Sequence, residues 1–197
     1  MRVNTHMQAL ALEFSFRANM SKYSEELTRA MDFLAAKPDT KFIGQSVAVA
    51  GTAMRNTLLN VDESKLMEFP VDEELQMGVS VGMALAGFVP ISIFPRWNFL
   101  LVATNQIVNH LDKLKEITQV ENPGKVIIRT GIGSEKPLYP GPQHTGDFTE
   151  AFKIMCPHTN VVRLDDSSSI FDEYKLAYER DDGISTILVE WGDKYAD

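Results

Sequence analysis

Cysteine is nearly missing from this sequence: Cys156 stands alone among 197 residues. That excludes an intrachain disulfide and a metal site built from cysteines, and it fits a reducing cytoplasm. Basic clusters are missing too. With a net charge of -8 and no run of Lys and Arg, the chain offers no basic footprint for nucleic acid or for an anionic membrane surface. No stretch approaches the ~18 uncharged apolar residues of a membrane span. The run LALEFSF at residues 10–16 carries Glu13 and is too short and too polar for a signal-peptide core. Internal repeats, low-complexity segments, a Ser/His/Asp set and metal-ligand spacings are also absent.

What remains is an ordinary globular composition, 44% hydrophobic and 23% charged, of a length that suits one well-buried domain. Residues 1–19 differ in character from the rest and read as a disordered extension or an upstream start. Met20 directly precedes a helix start, so the domain is expected over 20–197. Ser21 or Ser24 can cap a helix that runs to about Ala36, with Leu27, Ala30, Met31 and Leu34 on one face.

Strand-like runs follow at KFIG (41–44), KLMEF (65–69), VPISIF (89–94), KVIIRT (125–130), NVVRL (160–164) and STILVE (185–190). Helical spacing separates them at 73–87, 99–115, 147–155 and 167–180. Gly78, Gly82 and Ala86 form a small-residue stripe that another backbone could approach, and Gly87 is a natural stop. Six strands alternating with helices predict an α/β fold with a parallel sheet flanked by helices. Ligands of such sheets gather beyond the carboxyl ends of the strands. The loops there hold Gln45, Pro70 to Glu74, Pro95 to Phe99 and Gly131 to His144.

Three of those segments carry chemistry. In PVDEELQ (70–76) the carboxylates Asp72, Glu73 and Glu74 open a helix. They can complement the helix dipole, or one of them can face the cleft. In FPRWNF (94–99) Trp97 and Phe99 flank Asn98, either as core packing or as a flat wall for an aromatic ligand. The loop GIGSEKPLYPGPQHTG (131–146) is long, rich in Gly and Pro, and ends near His144. Long ordered loops in compact domains are often functional, while a lone histidine is more often structural. The run GIGSEK lacks the third glycine of a dinucleotide fingerprint.

In this order, the segments resemble the beta subunit of the 2-oxo-acid dehydrogenases and the matching region of transketolases. The resemblance is carried by FIGQSVAVAGTAM (42–54), FPVDEELQMGVSVGMALAGFVPISIF (69–94), PRWNFLLVATNQIVNHLDK (95–113), KVIIRTGIGS (125–134), GPQHTGDFTEAF (141–152) and RDDGISTILVEW (180–191). It implies the pyrimidine-binding module of a thiamine diphosphate enzyme. By position, Glu73 matches the glutamate that activates the cofactor. Phe99 matches the aromatic that stacks on the aminopyrimidine, with Trp97 beside it as a further cofactor contact. His144 matches the histidine near the reacting substrate. A carboxyl group that shares a proton with the pyrimidine nitrogen favours the imino form, whose nitrogen can take the thiazolium proton.

The sequence departs from that family at three places. Gln45 stands where a glutamate is usual, and a neutral amide cannot relay a proton between sites. Asn105 replaces an aspartate, and residues 116–122 diverge from a Gly-containing segment that contacts the partner. The C-terminal domain of the dehydrogenase beta subunits is expected to be absent, and the sequence shows no Gly-Asp-Gly diphosphate and magnesium motif. The resemblance therefore implies a split enzyme. A separate alpha-like subunit would hold most of the diphosphate and Mg2+ in an α2β2 heterotetramer. The reaction would be transketolase-like transfer of a two-carbon or acyl unit from a keto substrate. A split 2-oxo-acid decarboxylase or dehydrogenase component and a non-catalytic scaffolding partner are the alternatives.

Overall fold

The computed structural model describes residues 20–49, 52–136 and 139–195. The expected extension over residues 1–19 lies outside them. Helix α1, Lys22–Ala35, begins where the Ser21 hydroxyl accepts a hydrogen bond from the Ser24 amide at 3.1 Å. Ser21 is thus the cap, while Ser24 is buried and donates its hydroxyl to the Tyr195 carbonyl. Helical spacing gathers Tyr23, Leu27, Ala30, Met31 and Leu34 on the buried face of α1.

The elements then run β1 (Thr40–Gly44), α2 (Ala53–Asn56), β2 (Leu66–Glu68), α3 (Glu73–Leu85), β3 (Val89–Ile93), α4 (Trp97–Leu100), α5 (Leu114–Thr118), β4 (Ile127–Ile132), α6 (Thr149–Met155), β5 (Asn160–Arg163), α7 (Ser167–Glu179) and β6 (Thr186–Trp191). All pairings are parallel, in the order β2-β1-β3-β4-β6-β5. This is the six-stranded parallel sheet that the alternation predicts. Helices α1 and α7 pack side by side over one face, where Leu27, Met31, Phe42, Ile91, Ile170 and Leu188 meet. Helices α3, α4 and α6 cover the other with Met77, Val81, Trp97, Ile128, Phe152 and Val189. Successive residues such as Ile127 and Ile128 feed opposite faces, which is why these strands read as continuous apolar runs.

Three details differ from the sequence reading. Strand β4 extends two residues further, because Gly131 and Ile132 still pair with Glu190 and Trp191 of β6. The stretch expected as one helix over 99–115 is broken: α4 gives way to a tight turn at Leu101–Ala103 and a widened turn at Gln106–Leu111. There the Asp112 amide bonds to the Ile107 carbonyl at 2.8 Å. The widening turns both Leu111 and Asp112 inward, and Asp112 accepts from the His158 amide and the Thr159 hydroxyl. Finally, on the small-residue stripe a Cβ on Gly82 would meet nothing within 4 Å among the described residues, and one on Gly78 would meet the Gln106 side chain at 3.8 Å. The positive φ of Gly87, 89°, does end α3 as expected.

A polar network is sealed inside the first core. The Arg129 guanidinium donates to both carboxylate oxygens of Glu190, at 2.6 and 3.1 Å. Tyr174 and Tyr195 donate their hydroxyls to the same carboxylate. Tyr23 donates to the Leu164 carbonyl at 2.9 Å. Burial, reinforced by the Glu190 charge, pushes all three phenols above the ordinary tyrosine range. A phenol raised in the folded state stabilises the fold below its unfolded pKa, and that contribution is lost as pH rises. Stability is therefore expected to hold up to about pH 10, the unfolded tyrosine value, and to fall above it. Denaturant unfolding at a series of alkaline pH values, read with tyrosinate absorbance, checks this. Ionisation of these phenols without loss of the fold would contradict it.

Candidate active site

The loops beyond the carboxyl ends of β1, β2, β3 and β4 supply the candidate residues. At the start of α3 the three carboxylates separate by role. Asp72 caps the helix, accepting from the Leu75 amide at 2.9 Å. Glu74 is exposed and accepts from the side-chain amides of Asn105 and Gln106. Glu73 turns inward and is only 7% exposed. Its Oε1 accepts from Gln45 Nε2 at 3.1 Å, and its Oε2 has no hydrogen bond among the described residues. The helix N-terminus around it favours a negative charge.

Two anchors hold this corner. Gln76, one turn further along α3, is fully buried and donates to the Ser92 hydroxyl and the Ile93 carbonyl, both at 3.1 Å. The loop carrying Gln45 is gathered around Glu68, whose carboxylate accepts the amides of Ser46, Val47 and Ala48 at 2.6, 2.9 and 2.8 Å. Glu73 and Gln45 thus meet as a consequence of how α3 and the β1 loop are tied to the sheet.

Phe99 and His144 are brought together from segments 45 positions apart in the chain. Their rings lie 5.4 Å apart at 57°. Helix α3 packs on the helical stretch that Phe99 helps to open. His144 closes a short turn, Pro142–His144, in which its amide bonds to the Gly141 carbonyl at 3.1 Å. Its Nδ1 is buried and has no hydrogen-bond partner among the described residues. Arg96 Nη1 donates to the His144 carbonyl at 3.0 Å, and the Gly146 amide donates to Asn98 Oδ1 at 3.3 Å. Gly146 is required there, since a Cβ would come within 2.5 Å of the Phe148 ring. Desolvation lowers the Arg96 pKa, and the nearby Asp193 charge opposes it.

Trp97 does not join this group. Its ring is fully buried and packs 4.8 Å from the Phe152 ring in the second core, so it presents no face to a ligand. The reading of Trp97 as a cofactor wall therefore gives way to the core-packing reading, and Phe99 is the half-buried aromatic of the pair. Cys156 is likewise core, and burial pushes its thiol up to about 12. Reading the sequence did not single out Arg96 or Arg55. Arg55, on α2, keeps its buried Nε and Nη1 without hydrogen-bond partners among the described residues. Helix α2 lies beside the carboxyl ends of β3 and β4, for a Cβ on Gly131 would approach Met54 Cε to 3.1 Å and the Pro95 carbonyl to 3.5 Å. The usable signal was position: both arginines lie in the connections directly after β1 and β3.

A cavity of about 520 Å3 opens at the other end of the sheet, lined by Leu111 to Glu116, Pro157 to Asn160, Arg180 and Gly183 to Ser185. It lies at the amino ends of β5 and β6, away from the carboxylate and the ring pair. Parallel sheets collect ligands at their carboxyl ends, so the Glu73 corner is the stronger site.

Residues 19–193 match the family model described as transketolase, pyrimidine binding domain. The 3-methyl-2-oxobutanoate dehydrogenase subunit beta of Mycobacterium tuberculosis is 30% identical over 160 residues, covering 77% of this chain and 43% of that protein. The mitochondrial pyruvate dehydrogenase E1 component subunit beta of Caenorhabditis elegans is 24% identical over 193 residues, covering 89% and 54%. This chain thus spans about half the length of these relatives. Among solved structures, a split gene transketolase described as an inactive beta4 tetramer shares the fold, with a TM-score of 0.53 at 12% identity over 87% of this chain and 50% of that one.

Proposed function

The chain belongs to the transketolase pyrimidine-binding domain family, and from that premise we propose that it is the pyrimidine-binding subunit of a two-subunit thiamine diphosphate enzyme. The observation that carries this reading is the Glu73 carboxyl group. It is buried at the first turn of α3, bonded on one oxygen by Gln45 and, among the described residues, unengaged on the other. A ring nitrogen is a fitting partner for that free oxygen. Phe99, half-buried at the same end of the sheet, fits an offset-stacked heteroaromatic ring.

When bound, thiamine diphosphate supplies an acidic thiazolium carbon and an electron sink for the carbonyl carbon of the donor. Three residues of this chain act on it and on the substrate. Glu73 holds a proton on the pyrimidine nitrogen, Phe99 orients the ring, and His144 serves the reacting substrate as a proton donor or acceptor. The unfilled donors of Arg55 offer a seat for an anionic group of the substrate. The substrate class is a 2-oxo acid or a ketose, with transfer of a two-carbon or acyl unit.

The remainder of the site is assigned to a partner. This sequence has no Gly-Asp-Gly run, and among the described residues no three His, Cys, Asp or Glu side chains gather as a metal site. A separate subunit would seat the diphosphate and Mg2+, in an α2β2 assembly placed in the cytoplasm. The relatives, a dehydrogenase beta subunit and a split gene transketolase, support a site completed by another chain. No helix among the described residues is long and apolar enough to cross a membrane.

Phe99→Ala tests the stacking role. It is expected to weaken thiamine diphosphate affinity of the assembled enzyme by roughly 10-fold, the equivalent of about 1.4 kcal/mol. Calorimetry reads this directly, and an unchanged Kd would remove Phe99 from the cofactor site.

A further inference from the structure

His144 is held in an unusual way for a histidine with a chemical task. Such a ring is commonly oriented by a hydrogen bond to its second nitrogen, yet Nδ1 of His144 is buried without one among the described residues. The bonds on His144 are main-chain bonds instead. Its amide closes the Pro142–His144 turn on the Gly141 carbonyl, and its carbonyl accepts from Arg96 Nη1 at 3.0 Å. Two residues further, the Gly146 amide is caught by Asn98 Oδ1 at 3.3 Å. Both partners come from one connection, Pro95 to Phe99, and the same connection delivers Phe99, whose ring lies 5.4 Å from that of His144.

We propose that Arg96 and Asn98 are positioning residues: together they clamp the histidine loop onto the β3–α4 connection and so set His144 against Phe99. This rests on the role given above to His144, and it adds the parts that fix its geometry. The physical case is one of coupling. A ring without a side-chain bond takes its orientation from its backbone and its packing. Two anchors on either side of residue 145 leave the loop little freedom to slide. Because anchors and stacking ring share one short connection, a shift in either loop is matched by the other, and the ring pair is kept.

The direct readout is the NMR spectrum of the full chain with labelled histidines, the His144 signals being assigned by their loss in His144→Gln. The Phe99 ring should displace the His144 ring-proton shifts, and Phe99→Leu should abolish that displacement. Arg96→Ala and Asn98→Ala are expected to lose most of it as well. Arg96→Lys, which can still donate to the carbonyl, should retain most of it. In the assembled enzyme Arg96→Ala should lower kcat by about 100-fold, the scale of a 1 Å misplacement, with thiamine diphosphate affinity unchanged. His144 signals that do not move in Arg96→Ala and Asn98→Ala would overturn the proposal. So would a raised KM at constant kcat, because Arg96 would then be gripping substrate. If the shifts respond as expected but the wild-type assembly has no thiamine diphosphate activity, the clamp stands and the functional reading fails.

Discussion

Glu73→Gln is expected to lower turnover by about 100- to 10,000-fold, the range for loss of a positioned proton partner, with the fold left in place. Glutamine keeps the size of the side chain and can still accept from Gln45 through its carbonyl oxygen. It cannot hold a proton and share it with a ring nitrogen. The fold should tolerate the change, because the helix cap is Asp72 and the tie to the sheet is Gln76. Glu74→Gln is the matched control. Glu74 sits one residue on, exposed and bonded to Asn105 and Gln106, and its loss should leave turnover near normal. Steady-state kinetics of the assembled enzyme, with thermal melts of each variant, distinguish the two carboxylates. Equal activity of Glu73→Gln and wild type would remove Glu73 from the chemistry.

The second large effect is on stability. Glu190→Ala is expected to destabilise the fold by about 3–5 kcal/mol, since it leaves the fully buried Arg129 charge without its carboxylate. Burial disfavours the Arg129 charge, and Glu190 overrides that penalty to hold the guanidinium pKa above its ordinary value. Tyr174 and Tyr195 lose their acceptor in the same variant. A typical domain has only about 5–15 kcal/mol in total, so much of this chain would unfold at modest temperature. The double variant Arg129→Met with Glu190→Leu should recover a large part of the loss, because no charge is then stranded. Urea unfolding measures both. A loss below about 1 kcal/mol for Glu190→Ala would mean that water or a rearranged partner compensates Arg129.

The sequence disclosed the architecture well, and for a physical reason. Strands covered on both faces must be apolar at consecutive positions, so Ile127, Ile128 and Ile187 to Val189 stand out from the amphipathic helices. The site was legible only in part. Asp72, Glu73 and Glu74 are equivalent as a string, and burial separates them only after α3 is docked by Gln76. Trp97 and Phe99 are two residues apart on α4, roughly 200° around the helix, and that turns one ring into the core and leaves the other half-buried. The break between Leu101 and Leu111 depends on Asp112 finding the 158–159 segment, a contact some 46 positions away that local spacing does not encode. Arg96 escaped notice for a related reason. Its partner is a main-chain carbonyl, and backbone acceptors leave no mark in a sequence.

The measurement that bears most directly on the central claim is calorimetric titration of thiamine diphosphate with magnesium. It should be made into this chain, into a diphosphate-binding subunit that copurifies with the native protein, and into their mixture. Saturable binding to the mixture, absent from either chain separately and lost or weakened in Phe99→Ala, is the expected result. Full-strength binding by this chain without a partner would contradict a site shared between subunits. Absence of binding to the mixture would contradict the cofactor role of Glu73 and Phe99.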